Sequence, residues 1–177
     1  MRRVCVFCGA SAGNDPRYAA AAADLGRALA ARSIELVTGG GKVGLMGVVA
    51  DATLGAGGRV IGVIPRFLEE REVAHRGLSE LHVVESLHER KALMHELSDG
   101  FIVLPGGFGT LDELMETVTW AQLGLHSKPI GIVNVAGYFD DLLAFVAGAS
   151  QAGFIPAAHG DLLIARDGAG AVVDALA

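Results

Sequence analysis

The sequence predicts an α/β fold, a parallel sheet with helices packed on both of its faces. Three observations point there. Apolar strand-like runs alternate with helical segments along the chain, and repeated strand–helix units form parallel sheets. The runs are nearly unbroken Val, Ile and Leu, as expected of strands covered on both faces. Glycines cluster where the runs end, in "CGAS", "TGGGKVG" and "PGGFGT", at the strand carboxyl ends where such folds bind ligands.

The elements follow in order. "RRVCVFCG" reads as a strand, "DPRYAAAAADLGRALAAR" as a helix and "IELVTGG" as the second strand. "GLMGVVADATLGAG" is the second helix and "RVIGVIP" the third strand. A less regular charged stretch, "RFLEEREVAHRGLSE", precedes strand "LHVVES" and helix "HERKALMHELSD". Strand "GFIVLPGG", helix "TLDELMETVTWAQLGL" and strand "PIGIVNV" come next. A helix near "YFDDLLAFVAGASQAG", a short apolar run "LLIAR" and a last helix "AGAVVDALA" close the chain. No linker-like segment or internal repeat divides it, and 177 residues fit one domain, 1–177.

Composition narrows the function. The net charge is −6, with only 14 Lys and Arg and no basic block, so a nucleic-acid partner is not expected. There is no run of about 18 apolar residues for a membrane span. "MRRVCVFCGA" starts with charge, but its apolar run is short and polar "SAGNDPR" follows, so it reads as the first strand rather than a signal peptide. Cys5 and Cys8 form a C-x-x-C inside that strand. Their side chains are expected on opposite faces, and two sulfurs do not complete a zinc shell, so they read as buried structural thiols. Without a disulfide framework the expected setting is cytoplasmic.

Glycine lets backbone approach a ligand closely, and a helix start offers free N–H groups with partial positive charge. "PGGFGT" therefore reads as a phosphate cradle, with Thr110 adding a hydroxyl. The competing reading is a tight turn with Thr110 as helix N-cap. In "TGGGKVGLMG", Gly39, Gly41 and Gly44 have G-x-G-x-x-G spacing. They follow the second strand, though, and no acidic residue stands where a dinucleotide ribose needs one, so a second wall of a mononucleotide pocket fits better than an NAD site. The NTPase phosphate-loop pattern is absent.

Glu113 and Glu116 share a helix face just past the cradle, where a carboxylate can act on a sugar carrying the bound phosphate. Alternatively, Thr110 to Glu113 is a capping box, with Glu113 reaching back to the Thr110 N–H. Asp112 is expected to be solvated. Arg90 and Lys91 lie early in a helix, where cations oppose the dipole. A phosphate or carboxylate partner would explain them, and a solvated basic pair remains the alternative. His88 and His95 read as surface or structural residues.

The segments "GGGKVGLMG", "HERKALM" and "PGGFGTLDELMETVTWAQLGLHSKPIGIVN" resemble those of the LOG (Lonely Guy) proteins, cytokinin riboside 5′-monophosphate phosphoribohydrolases once widely mislabelled lysine decarboxylases. The resemblance runs from "VCVFCGASAGNDPRY" to about Ile155. It implies a Rossmann-like fold, a homodimer, and hydrolysis of an N-glycosidic bond that releases an N6-substituted adenine and ribose 5-phosphate. The matching positions imply Arg90 and Glu113 as catalytic residues and Gly106, Gly107, Gly109 and Thr110 as the phosphate loop. Lys91, Met94 and Glu116 are implied to line the nucleotide pocket, and Gly40, Gly41, Gly44 and Met46 to form the second glycine loop. One departure is Leu87, where the family usually has Met.

The chemistry agrees with that implication. Breaking a ribose C–N bond builds oxocarbenium character, which a carboxylate stabilises while orienting or deprotonating water. Arginine can fork to a phosphate or assist the departing base. No metal or cofactor is expected. A decarboxylase would need a pyridoxal Schiff-base lysine, and none of the three lysines, Lys42, Lys91 and Lys128, has such surroundings in the sequence. Two alternatives stay open: a broad AMP nucleosidase-like hydrolase and a non-catalytic nucleotide sensor or carrier.

Overall fold

Among the described residues the apolar runs form one seven-stranded sheet whose strands pair in parallel, in the order β4-β3-β2-β1-β5-β6-β7. The computed structural model describes residues 1–69 and 73–176. The strands are β1 (Arg3–Phe7), β2 (Glu35–Thr38), β3 (Val60–Pro65), β4 (Glu80–Val84), β5 (Gly100–Val103), β6 (Ile130–Val133) and β7 (Leu163–Arg166). The helices are α1 (Pro16–Ala31), α2 (Gly44–Gly55), α3 (Leu87–Leu97), α4 (Phe108–Gln122), α5 (Asp140–Gln151) and α6 (Ala169–Leu176). This is the expected Rossmann-like architecture, and the run "LLIAR" supplies its edge strand β7.

Alternation along the strands gives each sheet face its own core. Val4 and Val6 of β1 pack with Leu25, Leu29, Val49 and Val172 under α1, α2 and α6. Cys5 and Phe7 pack with Met94, Leu114 and Phe139 on the opposite face, beneath α3, α4 and α5. Cys5 and Cys8 accordingly lie in different cores, both as buried thiols outside any disulfide. Burial pushes the Cys5 thiol well above its usual value, and the Glu113 carboxylate adds to the rise, so it stays protonated. A Cβ at Gly26 would stand 2.6 Å from the Val49 carbonyl oxygen; a side chain there would push α1 and α2 apart.

Helix boundaries follow local chemistry. Asp15 caps α1, accepting a 2.9 Å hydrogen bond from the Arg17 N–H, with Pro16 in the first position. In α3 the capping partners are Ser86 and Glu89: the Glu89 N–H donates to Ser86 Oγ, and the Glu89 carboxylate accepts from the Glu85 N–H. Helix α4 begins at Phe108 with Gly107 as its N-cap, so Thr110 lies inside the first turn rather than at the N-cap, which removes the alternative capping box over Thr110–Glu113. The charged stretch after β3 opens with a short 3-10 turn, Arg66–Leu68. Its Glu70, Arg71 and Glu72 lie outside the described residues. Its His75 is buried, with Nε2 2.8 Å from the Asp51 carboxylate.

His95 joins α3, α4 and β5. It is 7% exposed and touches the rings of Phe101, Trp120 and His126. The Thr117 hydroxyl donates to the Glu113 carbonyl, so His95 Nε2, 2.9 Å from the Thr117 hydroxyl oxygen, is the donor of that pair. Burial, then His126, Lys128 and Lys91, depress the imidazole to about 4. A depressed folded-state value means that the unfolded chain binds the proton first, so stability is lost as pH falls from about 6.5 towards 4, by about 3 kcal/mol at most. We expect the urea midpoint to drop over that window in the wild type and to stay flatter in His95→Gln. Equal pH dependence in the two proteins would contradict the assignment.

Candidate active site

The chain order reverses between β1 and β5, which are neighbours in the sheet although most of the first half of the chain lies between them. Loops leaving such a pair diverge and open a crevice beyond the strand carboxyl ends. Here the two loops are also tied together: the Gly9 N–H donates to the Pro105 carbonyl at 3.0 Å, and the Leu104 N–H to the Phe7 carbonyl at 2.9 Å. Above them lies a cavity of about 590 Å³, a size suited to a nucleotide. Cys8 to Gly13, Leu45 and Met46, Pro105 to Gly107, and Gly109 line it, together with Tyr18, Arg90, Thr110, Glu113 and Tyr138.

Each chemistry-bearing group has a structural reason for its place. Arg90 sits on the inner face of α3, only 5% exposed, and its Nη2 donates to the Gly39 carbonyl at 3.0 Å. A Cβ at Gly39 would overlap that guanidinium, so the glycine makes room for the arginine. Glu113 is half-buried on α4, one turn beyond Gly109. Thr110 is 3% exposed, and a Cβ at Gly106 would overlap its hydroxyl. Gly107, Phe108 and Gly109 open α4, so the N–H groups of its first turn have no intrahelical partner.

The sequence-predicted residues fall into two sets. Arg90, Glu113, Gly106, Gly107, Gly109, Thr110 and Met46 line the one cavity. Gly40, Gly41 and Gly44 stand behind its wall rather than on it. Gly44 has φ +62°, and any Cβ there would collide with the Ala10–Ser11 peptide of the first loop. The Leu45 N–H donates to the Gly9 carbonyl, and the Gly41 N–H to Met46 Sδ at 3.1 Å. The second glycine loop thus supports the first and positions Met46.

Lys91, Met94 and Glu116 are likewise off the cavity lining. Met94 is core, 1% exposed. Lys91 Nζ lies 3.1 Å from both Asp112 Oδ2 and Glu116 Oε1, tying α3 to α4. Burial works against its charge, yet the hydrogen bonds it donates to Glu116 and Asp112 outweigh this and raise the ammonium above its ordinary value. Asp112 is exposed, as expected, while also pairing with Lys91, and the pair Arg90–Lys91 splits into an inward guanidinium and an interhelical bridge.

Sequence reasoning missed Cys8, Ser11, Tyr18 and Tyr138 on the lining. The cluster "CGAS" at the end of β1 was a usable signal for the first two; nothing local to Tyr138 pointed at β5. Among the described residues no three His, Cys, Asp or Glu side chains gather where they could hold a metal ion, and no helix is long and apolar enough to cross a membrane.

A family described as "Possible lysine decarboxylase" matches residues 46–176. The rice (Oryza sativa subsp. japonica) protein named "Probable cytokinin riboside 5′-monophosphate phosphoribohydrolase LOGL9" is 52% identical over 176 residues, 99% of this chain and 78% of its own. Cytokinin riboside 5′-monophosphate phosphoribohydrolase LOG1 of Arabidopsis thaliana is 52% identical over 155 residues, 88% of this chain and 73% of its own. Among solved structures, the molybdenum cofactor carrier protein of Chlamydomonas reinhardtii superposes with a TM-score of 0.75 at 20% identity, covering 99% of this chain and 96% of its own. That likeness speaks to the fold alone.

Proposed function

The chain belongs to the LOG family of cytokinin riboside 5′-monophosphate phosphoribohydrolases, and from that premise we propose how its cleft works. The protein is an N-glycosyl hydrolase that splits cytokinin riboside 5′-monophosphates into the free N6-substituted adenine and ribose 5-phosphate. The observation that carries the site assignment is that a buried arginine, a half-buried glutamate and a glycine-rich helix start line one nucleotide-sized cavity.

In this reading the 5′-phosphate lies against Gly106, Gly107 and Gly109 at the start of α4, held by backbone N–H groups and the Thr110 hydroxyl. The ribose then extends towards Glu113. Its carboxylate stabilises the positive charge that builds at C1′ and takes a proton from the attacking water. Arg90, held by Gly39, forks to an oxygen of the substrate or neutralises the departing base. Met46 and Leu45 give the apolar wall a purine requires. Lys91, Met94, Glu116, Gly40, Gly41 and Gly44 act from behind, by fixing α3, α4 and the loops. Nothing in this scheme requires a metal or cofactor. Incubation with N6-isopentenyladenosine 5′-monophosphate should release isopentenyladenine and ribose 5-phosphate in equal amounts, and faster than AMP releases adenine. Equal rates on both nucleotides would favour a broad AMP hydrolase.

The same reading includes a homodimer of 1–177 in the cytoplasm, where the buried thiols Cys5 and Cys8 remain reduced. Of the large apolar residues of α4, Leu114 is buried in the monomer core and Trp120 packs on His95. Phe108 at 94% exposure, Met115, Leu123 and Leu125 are the exposed apolar side chains of α4 and the turn after it, surface that a second copy would cover. Light scattering at micromolar concentration should give twice the 18.2 kDa chain mass; a mass of one chain would contradict the dimer.

A further inference from the structure

Tyr138 has no role in the scheme above, yet it reaches from the end of β6 to the loop after β5. Its hydroxyl donates a 2.6 Å hydrogen bond to the Gly106 carbonyl. At 41% exposure the ring contributes little to the core, so core packing does not account for its placement. The turn that delivers it is braced. Asn134 Nδ2 donates to Asp140 Oδ1 at 2.7 Å, and Asn134 Oδ1 accepts from the Phe139 N–H at 2.8 Å. Between them Ala136 and Gly137 take φ +58° and +70°, a left-handed conformation that costs Ala136 energy and persists only because the surroundings impose it. The ring itself stands edge-on to Tyr18 of α1, with centroids 5.4 Å apart, and edge-on to the buried Phe139 at 4.9 Å.

We propose that Tyr138 is the positioning residue of the anion loop: by holding the Gly106 carbonyl, its hydroxyl sets the Gly106–Gly107 peptide for phosphate binding. The physical step is short. A peptide is planar, and its carbonyl and N–H point in opposite directions. Fixing the Gly106 oxygen therefore fixes the direction of the Gly107 N–H, and Gly107 is the N-cap residue of α4. Glycines flank this peptide on both sides and would otherwise let it rotate freely. A flexible glycine loop gains close approach to an anion but loses entropy on ordering. The tyrosine lowers that loss by ordering the peptide before the ligand arrives. The partner is thus the phosphate of the substrate and not its base.

The inference rests on the assignment of Gly106–Thr110 as the phosphate loop, and the test separates the two. Competitive binding of ribose 5-phosphate and of N6-isopentenyladenine is measured for the wild type, Tyr138→Phe and Asn134→Ala. Tyr138→Phe keeps the ring contacts and removes only the hydroxyl. It should weaken ribose 5-phosphate by about three- to tenfold, on the order of one hydrogen bond, leave the base constant unmoved and lower the unfolding midpoint only slightly, as the loss of one exposed hydrogen bond does. Asn134→Ala, which loosens the turn, should show the same selective loss. Equal weakening of both ligands, weakening of the base alone, or no change in either would overturn the role given to Tyr138. If wild-type protein does not bind ribose 5-phosphate, the phosphate-loop assignment itself falls and this inference with it.

Discussion

Replacing Glu113 with Gln is expected to reduce turnover by about 10²- to 10⁴-fold, the range of a lost general base, while nucleotide binding and folding persist. The substitution keeps the size and the helix propensity of the side chain and removes its charge and basicity. An end-capping role would be insensitive to that change, because Gln caps nearly as Glu does. Such a role is in any case absent: α4 begins at Phe108 behind Gly107, well before Glu113. The carboxylate lines the same cavity as Arg90 and the glycine loop, so the loss should fall on kcat and spare the affinity for ribose 5-phosphate. Near-normal turnover by Glu113→Gln would remove Glu113 from the chemistry.

The second large effect is expected at Gly106. A Cβ there would overlap the Thr110 hydroxyl and stand 2.8 Å from the Gly9 nitrogen, and neither neighbour can yield easily. Thr110 is buried in the first turn of α4, and the Gly9 N–H is committed to Pro105. The loops after β1 and β5 would have to separate, moving the anion site relative to Glu113 by a fraction of an ångström or more. Gly106→Ala should therefore lose about 10²-fold in kcat/KM, as misplacements of that size do, and about 1–3 kcal/mol of stability. Gly107→Ala is the contrasting variant: nothing lies within 4 Å of its added Cβ, so it should lose only the small preference of an N-cap for Gly over Ala and far less than Gly106→Ala. Equal kcat/KM for Gly106→Ala and wild type would mean that the loops do not need to touch.

Much of this arrangement was legible in the sequence because the signals are local. Unbroken apolar runs such as Val60–Pro65 are fully buried, and the glycine clusters do end strands. Arg90 and Glu113, far apart in sequence, could be joined only through the family resemblance, since no local pattern brings α3 and α4 to one crevice. Long-range packing decided the rest. Gly40, Gly41 and Gly44 looked like pocket wall, but the missing side chains of Gly44 and Gly40 serve the approach of the Ala10–Ser11 peptide and the packing beside Ile64 and Leu81, and the Gly41 N–H holds Met46. Lys91 and Glu116 looked like ligand contacts, but face each other between two helices. The start of α4 was misjudged by two residues because a glycine N-cap leaves no side-chain signature, whereas Thr110 offers one. Tyr138 carried no signal at all: its partner is a backbone carbonyl on a different strand's loop.

The central claim is that the glycine-rich start of α4 holds the substrate's phosphate and so brings the ribose C1′ to Glu113. The direct measurement is release of free base from N6-isopentenyladenosine and from its 5′-monophosphate by the wild-type protein at equal concentrations. If the remote phosphate orients the sugar, its removal lowers turnover as well as affinity. The expected result is a kcat/KM for the monophosphate higher by about 10²-fold or more, with kcat itself reduced for the nucleoside. Comparable specificity constants for the two compounds would contradict the account.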